Sequence, residues 1–449
     1  MILSLISRLR THDSLARRLT EGVVAGAAVR VLGMGFTFLV GIQLARYLGP
    51  ESYGLYGMIM AAVALLAVFA QLGLPQLVTR EVSTAVVTAD LQALKAILVW
   101  FGLLVLATSS ILLLISASIL MVLPSIEASV RSAAVWGLAA VPLIAILNLS
   151  IGAHRGFHLV VRAQVFDALI RPALFALLLF AAASVMPVGA STAIALQLLA
   201  TATALVLCIR ELVRAVPIGT FGLRLTQFRR SIFRGAAPML VTELLRVVDG
   251  QYAILLFGVL AVLSDVGVFR VALALVAFVG LPSTLINLVV MSFVVKLRVE
   301  GDQRRLQLLA ASSALAIFIS TTLLTILLYI FGKPLIAILF GQEYESAWLP
   351  LILMSFAYTV SGFFGSATTI LNMSGQERTV TSVHLFSPVA GCALTLALFH
   401  NFGVASAAIA MIIVELLKGV WMAYAAKSQL GLSVTVFSVA NLAVKNQCR

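Results

Sequence analysis

Residues 241–270 read VTELLRVVDGQYAILLFGVLAVLSDVGVFR, and the fold turns on how this stretch is read. Glu243, Arg246 and Asp249 recur every third residue, so on a helix they share one face. An apolar run follows Gly250 and ends at Ser264-Asp265, and the next basic residue is Arg270. A charge at the centre of a membrane helix costs about 2.5–3.5 kcal/mol on insertion scales. Three charges on one face are therefore expected to meet water or other charges rather than acyl chains.

The surrounding chain makes the membrane reading unavoidable. Of 449 residues, 62% are hydrophobic and 10% charged, and the mean hydropathy is +1.12. A soluble domain cannot hide so much apolar surface, which implies an all-α polytopic membrane protein. Lys and Arg number 30 against 17 acids. In a membrane protein that excess anchors loops on the inner side, and it argues against nucleic acid as a partner. Cys208, Cys392 and Cys448 have neither metal spacing nor a disulfide framework. His154 and His158 stand beside Arg155 and Arg162, which reads as a headgroup-facing loop rather than a metal site.

At about 20 apolar residues per span, twelve spans are expected: 20–45, 53–78, 94–120, 131–153, 163–186, 189–211, 232–260, 265–295, 307–331, 346–372, 379–400 and 403–426. Residues 1–19, with Arg8, Arg10, Arg17 and Arg18, read as an amphipathic segment on the inner surface rather than a cleavable signal. Arg46, Arg131 and Lys333 fall on the outer side, and Arg30, Arg171, Arg246 and Arg270 within spans. The other 23 of the 30 basic residues, Lys418 counted among them, fall on the inner side. That bias supports an even span number with both termini in the cytoplasm.

The long basic connection 212–231 divides the spans six and six, giving bundles 20–211 and 232–427 and a cytoplasmic tail 428–449. The halves echo each other weakly. Gly26-Ala27-Ala28 matches Gly235-Ala236-Ala237, and Ser52-Tyr53-Gly54-Leu55-Tyr56 matches Asp265-Val266-Gly267-Val268-Phe269. Two six-helix halves with a binding site between them are a common transporter plan, although small residues also serve helix packing alone.

Three stretches resemble the polysaccharide or O-antigen repeat-unit flippase branch of the MOP (MATE-like) transporter superfamily. The first is Leu44-Ala45-Arg46-Tyr47-Leu48-Gly49-Pro50-Glu51-Ser52-Tyr53-Gly54-Leu55-Tyr56, followed by Gln71-Leu72-Gly73-Leu74 and Val78-Thr79-Arg80-Glu81. The second is Arg246-Val247-Val248-Asp249 leading into Asp265–Phe269. The third is Leu339-Phe340-Gly341-Gln342-Glu343-Tyr344-Glu345-Ser346-Ala347, followed by Asn372-Met373-Ser374-Gly375-Gln376. The resemblance implies two six-helix bundles around a V-shaped cavity. It also implies export of a lipid-linked oligosaccharide, carried on an isoprenoid diphosphate, across the cell (inner) membrane. Phe269 stands where the family often has Tyr, and Arg270 follows where a small or polar residue is expected.

Several residues then become candidates. Arg30 lies about ten residues inside the first span, roughly 15 Å deep at 1.5 Å per residue. It either snorkels or faces the cavity and holds a phosphate bidentately. Arg246 is a second diphosphate ligand, with Glu243 or Asp249 carrying a coupling H⁺ or Na⁺ or orienting the arginine. The same three charges can also form a purely structural ion network. Arg270 is a third anion contact. Arg46, at an outer Gly/Pro turn, contacts the substrate or only helps to end one span and start the next, and Arg80, at the inner mouth beside Glu81, meets an anionic headgroup or only follows the positive-inside bias. Asp167 with Arg171, and Glu415 with Lys418, read as local pairs. Pro142, Pro172, Pro238 and Pro282 are points where helices can bend.

No catalytic constellation is present: there is neither a P-loop nor a Gly-x-Ser-x-Gly elbow, and no cofactor is expected. The partners expected are a lipid-linked glycan, membrane lipids, and a glycan polymerase and glycosyltransferases acting beside it. The leading alternative is a cation-coupled multidrug (MATE-type) efflux antiporter, which would want an acid rather than Arg30 in the first span. A membrane glycan polymerase would need a larger outer loop. A major-facilitator carrier would need a Gly- and Arg-rich loop, which 80–94 lacks.

Overall fold

A computed structural model describes residues 12–122, 127–216 and 229–438. Part of the expected N-terminal segment (1–11), most of the basic connection (217–228) and the end of the tail (439–449) lie outside the described residues. Among the described residues every regular element is helical. Among the described residues ten helices are long and apolar enough to cross a membrane. Helix α1 (His12–Gln71) supplies two spans, because Gly49 breaks it with φ 72 and ψ 171 just before Pro50. Only glycine adopts that φ without penalty, and proline starts a helix readily because the missing N–H had no partner there. Helix α8 (Arg229–Leu260) has the length to span but carries Glu243, Arg246 and Asp249. Among the described residues the expected spans fall mainly on helices, the tenth being broken between Phe363 and Ala367, and the chain is an all-α, multi-pass membrane protein.

The expected second span, 53–78, is bent. Helix α1 ends at Gln71, Leu72 and Gly73 take positive φ (51 and 73), and α2 (Leu74–Val87) follows. A Cβ on Gly73 would lie 2.6 Å from Leu240 N and 2.7 Å from Ala236 O. The backbone of α8 thus passes directly against the break. After α3 (Leu91–Val122) and α4 (Ala128–Gly156), the fifth span is α5 (Val160–Gln164), a π-helical turn Val165–Ile170, and α6 (Arg171–Ala183). Pro172 explains the wide turn, since it has no N–H to give to Ala168. Ala168 O faces Gly33, where a Cβ would stand only 2.2 Å away, so α1 and the π turn are in backbone contact.

The contacts divide the chain into two compact units, Met1–Val248 and Asp249–Arg449, with the boundary inside α8. In the first, Leu147 and Ile151 of α4 pack with Ala163, Phe166 and with Ala204, Leu205 and Cys208 of α7 (Ala190–Ala215). The second is built from α9 (Leu263–Glu300), α10 (Gln303–Leu339), α11 (Trp348–Phe363), α12 (Ala367–Met373), α13 (Glu377–Phe402) and α14 (Ala405–Leu430). Its core joins Val290 and Val294 with Leu306, Ile370, Val383 and Met422.

Two sequence expectations need correcting. His154 is no loop residue: it is 1% exposed, donating from Nδ1 to Ser150 O at 2.9 Å, with its ring 5.6 Å from that of Phe166. Long-range packing by α7 and Phe166 buries what its charged sequence neighbours made look superficial. Lys418, counted with the inner charges, lies about three turns before the end of α14 and bridges Glu415 at 2.6 Å. This is the local pair with Glu415 that was expected, within the helix rather than at the end where the inner charges were counted.

Candidate functional site

In the first unit the charged face of α8 meets α2. Glu243 accepts both Nε (3.2 Å) and Nη2 of Arg246, and accepts from Gln76 Nε2 at 3.4 Å. The geometry follows from the helix, since residues three apart are neighbours on its surface. The Arg246 side chain nevertheless stays 70% exposed and Glu243 24%. Fixed by its Glu243 contacts, the guanidinium keeps its remaining N–H groups for something else.

Asp167 on the π turn lies within electrostatic reach of Arg246 and bridges Arg171 at 3.2 Å. Arg30 joins this neighbourhood through the helix period. Gly26, Arg30 and Gly33 share one face of α1, and the flanking glycines abut Gln164 and Ala168. Arg30 itself is exposed. Among the described residues it makes no ion pair, and Gln164 Oε1 close by is buried without a hydrogen bond. The first unit therefore carries two small polar groups, Glu243 with Arg246 and Gln76 on α8 and α2, and Asp167 with Arg171 at the π turn, with Arg30 and Gln164 where α1 packs on α5 and the π turn. Of these, Asp167, Gln164 and Gln76 were not read as site residues from sequence. Pro172, with no N–H to give to Ala168, was the available signal for the turn that carries Asp167.

Asp249, three residues beyond Arg246, does not join that network. It belongs to the second unit, where it accepts from Ser387 Oγ at 2.9 Å. It lines a small pocket with Tyr252, Phe269, Ser387 and Glu415, and Glu415 is the partner of Lys418. The three helix-face charges of α8 thus divide between two clusters. Arg270, on α9 of the same unit, is half-buried. Arg46 is exposed in the last turn before Gly49. Arg80 grips Glu81 through Nε at 3.1 Å and Nη2 at 2.8 Å, and is 53% exposed. Among the described residues no group of three or more His, Cys, Asp or Glu is placed to hold a metal.

The residues that carry the sequence resemblance are mostly packing residues. Tyr53 and Tyr56 are 2% and 4% exposed and stack at 6.4 Å. Phe269 meets Phe257 edge-on at 5.0 Å. Tyr344, in the 3-10 turn Gln342–Ala347, is fully buried.

Comparison with known proteins agrees with this architecture. The sequence profile of the "Polysaccharide biosynthesis protein" family matches residues 19–295. No curated protein matches the chain. Among solved structures, the chain is similar to an inward-facing multidrug resistance MATE family transporter of the MOP superfamily, with TM-score 0.70 and 14% identity over 89% of this chain and 96% of that one. It is also similar to the lipid II flippase MurJ in an inward closed conformation, with TM-score 0.66 and 13% identity over 91% and 87%. A third is a MOP superfamily transporter from Pyrococcus furiosus, described as having a binding pocket of reverse polarity, with TM-score 0.65 and 16% identity over 91% and 95%.

Proposed function

The chain belongs to the polysaccharide biosynthesis protein family, with a MOP-superfamily fold, and from that premise we propose that it is a flippase for polyprenyl-diphosphate-linked oligosaccharide. It moves the carrier from the inner to the outer leaflet of the cell membrane by alternating access, with no bond made or broken and both termini in the cytoplasm. The bundles 20–211 and 232–427 are the moving halves, joined by the basic connection 212–231. Glycosyltransferases supply the substrate on the inner side and a glycan polymerase consumes it outside.

The observation that carries this reading is the exposed, oriented guanidinium of Arg246 on a 32-residue helix that has the length to span. Arg30 lies exposed on the α1 face that packs against the π turn. A guanidinium stays charged at any physiological pH and matches phosphate oxygens bidentately. Two of them suit a diphosphate, while the isoprenoid tail remains in lipid. Arg270 and Arg46 are further anion contacts toward the outer side, and Arg80 receives the headgroup at the inner mouth. Asp249 with Ser387 is the coupling site for H⁺ or Na⁺, and Glu243 orients Arg246. Cation binding coupled to movement requires only that the two access states bind the cation unequally.

Fold likeness to the multidrug MATE transporters and the acidic pocket at Asp249 and Glu415 favour one other reading, a cation-coupled drug antiporter. One experiment separates the two. Arg30→Ala and Arg246→Ala variants are scored in the native host for surface glycan, and the wild type is scored in an efflux-deficient host for drug resistance. Loss of surface glycan with no gain of resistance supports the flippase. Unchanged glycan with both arginines removed overturns it.

A further inference from the structure

The first unit holds a second basic site that the transport reading leaves unused. A groove of about 540 Å³ runs between the start of the fifth span and the end of the sixth. Its floor is apolar, made by Val165, Phe166, Ile170 and Leu207. Its rim carries Arg162, Arg210 and Arg214, with Glu211 the one acid in the lining. Arg210 and Arg214 are one turn apart and project from the same side of α7. The neighbouring Val206 and Val213 are 64% and 66% exposed, so this side of α7 sets exposed apolar side chains beside the two arginines.

The polar end of the groove reaches into the protein. Glu211 stands 4.0 Å from Arg162 Nη1 and 4.0 Å from His154 Nε2. His154 is 1% exposed, gives its Nδ1 proton to Ser150 O, and leaves Nε2 without a hydrogen bond among the described residues. The groove thus combines a net positive rim, an oily floor open to lipid and an unfilled polar position behind it. Charged headgroup above and acyl chain below is the pattern of a phospholipid.

We propose that this groove holds an anionic diacyl phospholipid, with its phosphate on Arg162, Arg210 and Arg214 and an acyl chain along Val165, Phe166 and Ile170. Basic pockets between spans near the cytoplasmic surface are built for such headgroups. The occupant would regulate as well as bind. Its floor is the same π turn that carries Asp167, the partner of Arg171, and that packs against α1 at Gly33. Filling the groove stiffens a turn that Pro172 leaves short of a hydrogen bond, and so steadies the wall of the candidate substrate site.

The test uses the purified full chain and native mass spectrometry, with phosphatidylglycerol and phosphatidylcholine offered in equal amounts. The wild type is expected to retain phosphatidylglycerol selectively. Each arginine near a headgroup is worth about fivefold in binding. The Arg210→Gln/Arg214→Gln variant should therefore lose retention by roughly twentyfold or more, while Arg131→Gln, at the other end of the helices, leaves it unchanged. Glu211→Gln, which removes the competing carboxylate, should strengthen retention, and it decides the matter if the double variant does not fold. Equal retention of both lipids, an unchanged double variant, or weaker retention in Glu211→Gln would overturn the proposal. So would displacement of phosphatidylglycerol by polyprenyl diphosphate, which would make the groove a substrate site. Because lipid retention is read without transport, its failure is distinct from failure of the flippase reading.

Discussion

Glu243 holds Arg246 from one turn away on the same helix, taking Nε at 3.2 Å and Nη2 on its two oxygens, yet leaves the arginine side chain 70% exposed. An exposed pair of this kind contributes at most about 1 kcal/mol to stability. Its value lies in fixing the direction of the free N–H groups. Arg246→Ala should therefore leave the melting temperature within a degree or two, while lowering glycan export roughly 10- to 100-fold, the worth of one charged hydrogen-bonding contact. Arg246→Lys keeps the charge but loses the fork and should recover only a part. Glu243→Gln should fall between wild type and Arg246→Ala. Quantitative immunoblots of surface glycan with thermal-shift measurements check all three. Full activity in Arg246→Ala would remove the arginine from the site.

Gly33 and Ala168 make a second expectation concrete. With Ala168 O only 2.2 Å from where a Cβ would sit, Gly33→Ala must push the first span off the π turn. Overpacking of this kind costs about 1–3 kcal/mol. Gly35, with nothing within 4 Å of a Cβ, is the internal control. Gly35→Ala should be neutral or slightly stabilising, because alanine is the better helix former. Denaturant or thermal unfolding in detergent compares the two. Equal stabilities would mean that the spans are not in backbone contact there.

Asp249 and Ser387 give a prediction about coupling. The Ser387 hydroxyl donates to Asp249 at 2.9 Å, so the carboxylate is held ready to accept a cation or proton. Asp249→Asn should abolish the dependence of transport on a Na⁺ or H⁺ gradient in reconstituted vesicles. Ser387→Ala removes one hydrogen bond to the carboxylate, worth about 1.5–3 kcal/mol, and should weaken that dependence roughly 10- to 100-fold without abolishing it. Gradient-driven transport that survives Asp249→Asn would assign coupling elsewhere.

The spans were legible because membrane hydrocarbon imposes one length and one polarity on every crossing segment. The break at Gly49-Pro50 was legible too, since two residues of special backbone preference announce it. Partner choice was not. Periodicity puts Glu243, Arg246 and Asp249 on one face, but it cannot say that Asp249 turns to Ser387, 138 residues away. For the same reason His154 read as superficial. The residues around it in sequence are charged, and the ones that bury it come from distant helices. The bend at Gly73 was present in the sequence as a lone glycine, but its cause, the backbone at Ala236 and Leu240, is visible only in three dimensions.

Gln307 supports a last expectation, at the end of the second unit. Its amide clasps the backbone of Ser433 twice, donating to the carbonyl at 2.6 Å and accepting from the N–H at 2.8 Å. Gly431 N and Leu432 N still cap α14, bonding Lys427 O and Ala426 O, and beyond them the two Gln307 bonds, with Val436 N to Phe363 O at 3.1 Å, fix the segment that follows. They also hold Leu432 and Val434, 2% and 1% exposed, in the core. Gln307→Ala leaves both backbone groups of Ser433 unpaired and should cost about 1–3 kcal/mol. Gln307→Glu keeps the acceptor but loses the donor and should cost less than the alanine. Because the clasp lies at the segment's start, the loss should appear as faster amide exchange over 432–436 and not over 405–420. Unchanged exchange at 432–436 in Gln307→Ala would show that burial of Leu432 and Val434 alone holds the segment, and that the two hydrogen bonds are replaceable by water.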